Sequence, residues 1–223
     1  LGQYEIAGRI GSGAMGEVYL ARHALLERPT AVKLLRPDIT GEAILERFEQ
    51  EVRQTSRLTH PNTVGIFDYG HTGEGVFSYA MEYLDGADVR EIVKRDGPMP
   101  ASRVIYVLSA ACGALAEAHQ KGIVHRDIKP ANIMRCEQGG EVDVAKTLDF
   151  GLVKNLRAYA SATGEPIADD DEKRIIGTPE TMAPEAIREG GVSRLSDLYS
   201  LAVGGYFLLT GGPIFDVDTV AEF

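Results

Sequence analysis

The sequence predicts an α+β protein in two parts, a small β-rich lobe followed by a mainly helical lobe. Up to residue 84, short stretches of alternating apolar and polar residues lie between glycine-rich turns, a pattern typical of strands. Beyond residue 85, apolar residues recur at spacings of three and four, a pattern typical of helices. We therefore expect two lobes, over residues 1–84 and 85–223.

Composition and charge restrict the class of protein. The chain has 223 residues, 44% of them apolar, which is enough for one large core or two small ones. A net charge of −10 argues against a nucleic-acid binder and is compatible with a basic protein substrate. Cys112 and Cys136 form no CxxC pair, so the sequence predicts neither a disulfide framework nor a zinc site.

The first lobe is predicted to be a five-stranded sheet with one inserted helix. Three strands are indicated by "YEIAGRI", "EVYLARH" and "TAVKLL", and two more by "NTVGIFDYG" and "GVFSYAMEYL" around the turn "HTGEG". Apolar residues from Ile44 to Leu58 follow mostly helical spacings and predict the helix between the third and fourth strands.

The second lobe is predicted to contain a long helix with one apolar face between Val104 and Ala118, for which Ser102 is the predicted N-cap. The polar, non-periodic residues 154–177 predict a long loop. Helices are expected near residues 182–189 and from Asp197 to Thr210. The longest apolar run, 198–212, is shorter than the roughly 18 residues of a membrane span, so we expect no membrane contact within the chain.

Three glycines, at positions 11, 13 and 16, lie in "GSGAMGEV" between two predicted strands. Glycines in such a turn let backbone N–H groups approach an anion closely, although a purely structural hairpin turn explains them equally well. A dinucleotide-binding turn would require a helix after the third glycine, whereas "EVYLARH" predicts a strand.

Lys33 lies in "TAVK", a run that otherwise suits a buried strand. Lys33 is either a surface cation that prevents an edge strand from pairing with another chain, or a cation that binds phosphate. In the second case, a carboxylate of the following helix would pair with it. Glu51 is the best candidate for that carboxylate because it shares a helical face with Phe48; Glu46 and Glu49 remain rivals on periodicity alone.

The stretch "IVHRDIKPANIM" places polar residues in an apolar frame. Asp127 could accept a hydroxyl proton, Lys129 could offset phosphate charge, and Asn132 could bind Mg²⁺, a set that suits phosphoryl transfer. The alternative is a turn stabilised by side-chain hydrogen bonds to the backbone. In "LDFG", Asp149 follows a predicted strand and offers a second carboxylate for a metal ion.

The runs "GSGAMGEV", "AVK", "HRDIKPAN", "DFG" and "APE" occur in the order of the protein-kinase signature set. From about residue 4 to 215 the chain resembles a bacterial member of the eukaryotic-type serine/threonine protein kinases. The resemblance implies a bilobal protein-kinase-like fold with an N-lobe over 1–84, which binds ATP, and a C-lobe over 85–223. It also implies ATP and Mg²⁺ as cofactors.

The resemblance implies a role for each matching residue. Asp127 would orient the substrate hydroxyl and take its proton, with Lys129 beside it, and Lys33 would pair with the ATP phosphates and with Glu51. Asn132 and Asp149 would bind Mg²⁺. ATP contacts are implied for Ile10, Gly11, Ser12, Gly13, Ala14, Met15, Gly16, Val18, Ala31, Lys33, Glu82, Leu84 and Met134.

Regulatory and structural roles are implied in the same way. Arg126 matches kinases in which a phosphorylated loop neutralises this arginine, with Ser161 and Thr163 as candidate phosphosites. Thr178 matches the position that touches the catalytic loop. The resemblance also implies structural roles for Phe150, Glu185 and Asp197. Asp197 would brace the backbone of the catalytic loop.

The sequence departs from the family at three places. Thr181 replaces an aromatic residue, and Gly204 and Gly205 lie inside a buried helix, where we expect close packing of another backbone. The chain stops at Phe223, where the family continues, so we expect an incomplete C-lobe in which Glu185 lacks its arginine partner.

The resulting expectation is a serine/threonine protein kinase that acts on proteins and phosphorylates itself. The alternatives are a nucleotide-binding scaffold without transfer, an inactive fragment and a small-molecule kinase. A dimer that phosphorylates in trans remains open. The expected location is the cytoplasm, and the cytosolic part of a membrane-anchored receptor kinase remains an alternative.

Overall fold

The computed structural model describes residues 2–13, 16–36, 42–73, 75–150, 181–188 and 191–214. The described residues form two compact units. The first contains residues up to 59 together with 64–84, and the second contains 60–63 and the described residues from 85 onward. The predicted loop 154–177 lies outside the described residues.

The first unit is a five-stranded antiparallel sheet with one helix, which confirms the predicted N-lobe architecture. The strand order is β1-β2-β3-β5-β4. The elements are β1 (Tyr4–Gly13), β2 (Gly16–His23), β3 (Pro29–Leu35), α1 (Glu42–Thr55), β4 (Ile66–His71) and β5 (Phe77–Glu82).

Aromatic packing attaches α1 to the sheet. Phe48 is 1% exposed, and its ring meets the ring of Phe77 edge-on with centroids 4.9 Å apart. The ring of Tyr79 lies 6.1 Å from that of Phe48 at a tilt of 47°. Val52, fully buried one turn later, continues the same helix face, so the predicted helical spacing corresponds to the buried face of α1.

The second unit combines a three-stranded sheet, in the order β6-β7-β8, with four helices among its described residues. A short 3-10 turn, Pro130–Asn132, precedes β7. The elements are β6 (Asp85–Asp88), α2 (Val89–Asp96), α3 (Ala101–Gln120), β7 (Ile133–Gln138), β8 (Glu141–Thr147), α4 (Pro184–Arg188) and α5 (Arg194–Thr210).

Two helix starts in this unit differ from the prediction. The N-cap of α3 is Pro100, not Ser102, because the carbonyl of Pro100 already accepts the backbone N–H groups of Arg103 at 2.9 Å and Val104 at 3.1 Å. Helix α5 begins at Arg194 rather than Asp197, because Ser193 and Ser196 form a reciprocal capping box.

Helix α2 was not predicted from the sequence. Asp88 caps it by accepting a hydrogen bond from the backbone N–H of Glu91 at 2.9 Å. Val89, Ile92 and Val93 form its buried side. This cap followed by three apolar residues at helical spacing is the signal in the sequence, but eight residues are too few for a clear periodicity.

By length and composition alone, α3 could cross a membrane. It is the one such helix in the described part of the chain, and core helices pass the same test. Its buried face includes Val104, Val107, Ala111 and Leu115. The predicted apolar face is therefore the face that packs within the second unit.

Residues 60–63 leave the first unit and anchor to the second. The backbone N–H of His60 donates to Glu117 of α3 at 2.8 Å, and the Asn62 side chain donates to the carbonyl of Ala145 at 2.7 Å. At Gly113 of α3, an added Cβ would lie 2.7 Å from Cε1 of His60. Glycine at 113 therefore makes room for the His60 ring.

The packing at Gly204 and Gly205 differs from the expected backbone contact. An added Cβ would lie 3.4 Å from Cδ of Pro130 at position 204, and 2.9 Å from Cδ1 of Leu108 at position 205. Both neighbours are side chains. The glycines therefore let α5 approach the side chains of Pro130, in the 3-10 turn, and of Leu108, on α3.

We expect Gly113→Ala to destabilise the protein by about 1–3 kcal/mol, because the new methyl group overpacks against His60. In a His60→Ala background the same change should instead stabilise by about 1 kcal/mol, since alanine is the better helix former. Urea unfolding of the four proteins of this double-mutant cycle measures both effects. Destabilisation of equal size in both backgrounds would contradict the steric explanation.

Candidate active site

The segment 123–134 connects α3 to β7 in the second unit. Two of its apolar residues are buried in the core, since Ile128 is 1% exposed and Ile133 is 3% exposed. Pro130 is also buried at the start of the 3-10 turn. The polar residues between them are therefore attached to a packed floor, as the mixture of polar and apolar residues predicts.

Asp197 of α5 binds the backbone of this segment. Its carboxylate accepts the backbone N–H groups of His125 and Arg126, each at 2.8 Å. The Nε2 of His119 lies 2.8 Å from Oδ2 of Asp197 and, facing a carboxylate, donates to it. Asp197 is 1% exposed, so these three donors replace the water that its charge would otherwise need.

Arg126 has a left-handed backbone, with φ at +69°. Non-glycine residues rarely adopt this conformation because Cβ crowds the backbone. The hydrogen bond from the Arg126 N–H to Asp197 stabilises the conformation at this position. The turn therefore sets the direction of the backbone at the next residue, Asp127.

His125 is 1% exposed and links segment 123–134 to the residues that follow β8. Its Nε2 donates to the carbonyl of Leu148 at 2.8 Å, and its ring lies 4.7 Å from that of Phe150. Burial lowers the pKa of His125, and the carboxylates of Asp197, Asp127 and Asp149 oppose this only in part. His125 is therefore neutral, with its proton on Nε2.

The Asp127 carboxylate is oriented by two side chains of the same segment. Nζ of Lys129 lies 2.8 Å from Oδ2. The amide nitrogen of Asn132 donates to the backbone carbonyl of Asp127 at 2.7 Å and to Oδ2 at 3.2 Å. The side chain of Asp127 is 11% exposed, so the carboxylate is fixed in position yet accessible.

Asn132 and Asp149 lie at the same end of the β7–β8 pair. Ile133 pairs with Thr147, and the N–H of Leu148 donates to the carbonyl of Asn132 at 2.9 Å. Because the amide nitrogen of Asn132 faces Asp127, its amide oxygen points the other way. An amide oxygen and a carboxylate are ligands of the type that Mg²⁺ prefers, so this pair fits a magnesium ion.

In the first unit, Lys33 is 8% exposed on β3. Val18 of β2 and Tyr79 of β5 are its cross-strand partners, so these three side chains share one face of the sheet. Ala31 lies on that face one pair further along, opposite Met81. The register therefore groups three of the predicted nucleotide contacts, Val18, Ala31 and Lys33.

The three glutamates of α1 have different surroundings. Glu46 is exposed, and Glu49 lies 3.8 Å from Nε2 of His71 on β4. Glu51 is half-buried and lies one turn beyond Phe48, which packs against the sheet. The surroundings favour Glu51 as the partner of Lys33, and the assignment stays a prediction.

The glycine-rich turn joins β1 to β2. Gly13 pairs with Gly16 and Gly11 with Val18, whereas Ala14 and Met15 lie outside the described residues. An added Cβ at Gly16 would lie 1.8 Å from the carbonyl oxygen of Leu34, so only glycine fits. Ile10, which precedes the turn, is half exposed at 50%, and Ser12 pairs with Glu17.

The end of β5 is tied to the start of β4. The N–H of Glu82 donates to the carbonyl of Gly65 at 2.8 Å, and the Glu82 carboxylate accepts the N–H of Gly65 at 3.3 Å. Leu84 is the last of the described residues that belong to the first unit. Met134, from β7 in the second unit, pairs with Asp88 and is half-buried.

The remaining predicted residues fall into two groups. Ser161, Thr163 and Thr178 lie outside the described residues. Phe150 is fully buried against His125, whereas Glu185 on α4 is exposed and forms no ion pair within the described part of the second unit. Thr181 is half-buried and lines a small cavity beside Asp127 with Ser196 and Ser200 of α5.

The sequence did not predict the contacts that His119, His125 and Tyr79 make in the fold. His125 immediately precedes the predicted arginine and aspartate, but its sequence context does not show that its ring is buried. His119 follows the apolar face of α3, and its only signal is a polar residue next to buried Ala118. Tyr79 resembles any aromatic residue of a buried strand.

A five-stranded sheet with one helix, together with a helical unit that presents Asp127, Asn132 and Asp149, defines a protein-kinase fold. The protein kinase domain family matches residues 4–222, and the chain belongs to this family. The crystal structure of the PknI kinase domain of Mycobacterium tuberculosis superimposes with a TM-score of 0.72 at 28% identity, covering 99% of this chain and 81% of that one.

Curated relatives are bacterial serine/threonine-protein kinases. Pkn3 of Myxococcus xanthus is 36% identical over 222 residues, which cover 99% of this chain and 40% of the relative. PknB of Mycobacterium leprae is 39% identical over 221 residues, covering 97% of this chain and 34% of the relative. The chain therefore spans between a third and two fifths of the length of these two relatives.

The buried His125 predicts a loss of stability in acid. The folded state keeps the ring neutral, whereas the unfolded chain binds a proton near pH 6.5, the ordinary histidine pKa. His125 therefore favours folding above pH 6.5, and this contribution is lost as the pH falls, by up to about 1.4 kcal/mol per pH unit.

Urea unfolding between pH 7.5 and 5 measures this loss against His125→Gln, whose amide can still donate to Leu148. Subtracting the variant cancels the titration of the other groups. The difference in unfolding free energy between wild type and variant should shrink as the pH falls. A difference that is constant with pH would show that the pKa of His125 is the same in the folded and the unfolded protein.

Proposed function

We propose that the chain catalyses transfer of the γ-phosphoryl group of ATP to serine and threonine hydroxyls of proteins. The observation that carries this proposal is the Asp127 carboxylate, which Lys129 and Asn132 orient while it remains accessible. The family and the printed names of the relatives support the same class of reaction.

In this proposal, Asp127 accepts a hydrogen bond from the substrate hydroxyl, aims its oxygen at the phosphorus and takes its proton. Lys129, 2.8 Å from that carboxylate, places a positive charge beside the transferring group. A fixed position matters because small misplacement of reacting groups costs rate steeply. Hydrogen bonds from the backbone of residues 125 and 126 to Asp197 provide that fixed position.

We propose that Asn132 and Asp149 bind Mg²⁺, which neutralises phosphate charge when bound. Lys33, paired with Glu51, binds the α- and β-phosphates, and the backbone of the glycine turn covers them. Val18, Ala31 and the backbone of Glu82 and Leu84 are the proposed adenine contacts of the first unit. Met134 is a proposed adenine contact as well.

We propose serine and threonine rather than tyrosine as acceptors, because Lys129 lies within "DIKPAN", the serine/threonine form of the loop. Arg126 is the residue through which a phosphate on Ser161 or Thr163 would act, since a guanidinium pairs readily with phosphate. Autophosphorylation supplies that phosphate, and a dimer allows it in trans. A cytoplasmic location provides the ATP.

The variant Asp127→Asn tests the proposed function. Transfer of ³²P from MgATP to the protein itself or to a basic protein should fall at least about 100-fold, because the amide cannot accept the proton. Binding of ATP, followed by a thermal shift, should persist. Asp96→Asn is the matched control, since Asp96 is an exposed residue that pairs with Arg95 at the end of α2.

Activity that survives Asp127→Asn would contradict the assignment of the base. A wild-type protein that binds ATP but transfers no phosphate, also when assayed within a longer chain, would instead be a nucleotide-binding scaffold. If the wild-type protein transfers phosphate to tyrosine hydroxyls only, the proposed class of acceptor residue is wrong.

A further inference from the structure

Tyr79 faces the predicted phosphate-binding lysine. Lys33 and Tyr79 are directly opposed on neighbouring antiparallel strands, so their side chains lie on the same face of the sheet. Nζ of Lys33 lies 5.8 Å from the centre of the Tyr79 ring, within the range of a cation–π contact. Both residues are buried, Lys33 at 8% exposure and Tyr79 at 2%.

The same ring contacts the helix that carries Glu51. Phe48 of α1 lies 6.1 Å from Tyr79, centroid to centroid, and is itself wedged against Phe77. Glu51 follows Phe48 by three residues, close to one helical turn. Tyr79 is therefore the side chain that contacts Lys33 and also packs against the helix of its predicted partner.

We propose that Tyr79 is a positioning residue that restricts the Lys33 ammonium group and couples its position to that of α1. This inference rests on the proposed function of Lys33 in binding the ATP phosphates. A lysine side chain has four rotatable bonds, so an ammonium group in a buried site needs surrounding groups to select one conformation. An aromatic ring is suited to this task because it is rigid and attracts a cation to its face.

The chemistry of the ring distinguishes this role from ordinary packing. Phenylalanine keeps the ring face and loses the hydroxyl, whereas leucine keeps an apolar side chain and loses the face. Phe77 is the matched control because it lies two residues earlier on the same strand, is 1% exposed and also packs on Phe48. Its removal weakens the same aromatic cluster but leaves the residue opposite Lys33 unchanged.

Steady-state phosphotransfer with varied ATP provides the first measurement. Tyr79→Leu should lower kcat/KM for ATP about fivefold, the factor that corresponds to losing one modest cation–π contact. Tyr79→Phe should remain within about twofold of wild type, and so should Phe77→Leu even where its melting temperature falls as far as that of Tyr79→Leu. Equal losses in Tyr79→Leu and Phe77→Leu would overturn the inference, and so would wild-type activity in Tyr79→Leu.

The second measurement needs no catalysis. Acetylation of Lys33 by N-hydroxysuccinimidyl acetate without ATP, followed by peptide mass spectrometry, reports how tightly the amine is restricted. We expect Lys33 to react about three times faster in Tyr79→Leu than in wild type, because the ring contact no longer restricts the ammonium group. Tyr79→Phe and Phe77→Leu should react at the wild-type rate.

Equal acetylation rates in all four proteins would contradict the positioning role, whether or not the protein is a kinase. A faster rate confined to Tyr79→Leu, in a protein that transfers no phosphate, would keep the positioning role and overturn the proposed function. The two failures are therefore distinguishable.

Discussion

The carboxylate of Asp197 is the contact on which the conformation of segment 123–134 depends. It is buried and accepts hydrogen bonds from two consecutive backbone N–H groups and from the His119 ring. The second N–H belongs to Arg126, which has a left-handed backbone and immediately precedes Asp127. Removing the carboxylate would leave these donors without an acceptor inside the core and release the turn, so the position of Asp127 is determined some seventy residues later in the chain.

That contact belongs to a larger network within the second unit. His125 joins segment 123–134 to Leu148 and Phe150, which follow β8 and flank Asp149. Asp149 also has a left-handed backbone, with φ at +53°. Conformations of this kind persist where the surrounding structure over-determines them, and here hydrogen bonds and ring packing on both sides do so. The predicted base and the predicted metal ligands are thus positioned by one connected set of contacts.

Periodicity and motif order predicted much of this molecule, and contacts between distant residues limited the rest. The five strands, α1 and α3 were visible because each repeats its apolar pattern several times. Helix α2 was missed because eight residues contain too few repeats, and Ser102 was preferred as a cap although Pro100 starts α3. The side-chain neighbours of Gly204 and Gly205, and the ring of Tyr79 opposite Lys33, depend on residues that only folding brings close.

The two units fix their functional side chains by different physical means. In the second, hydrogen bonds orient Asp127 and its neighbours, and such bonds weaken steeply with small changes of angle and distance. In the first, Phe48 attaches α1 to the sheet by packing against Phe77 and Tyr79, and such apolar packing is less directional. A shift of α1 therefore changes apolar contacts gradually, whereas a shift of the 125–127 turn breaks hydrogen bonds to a buried charge.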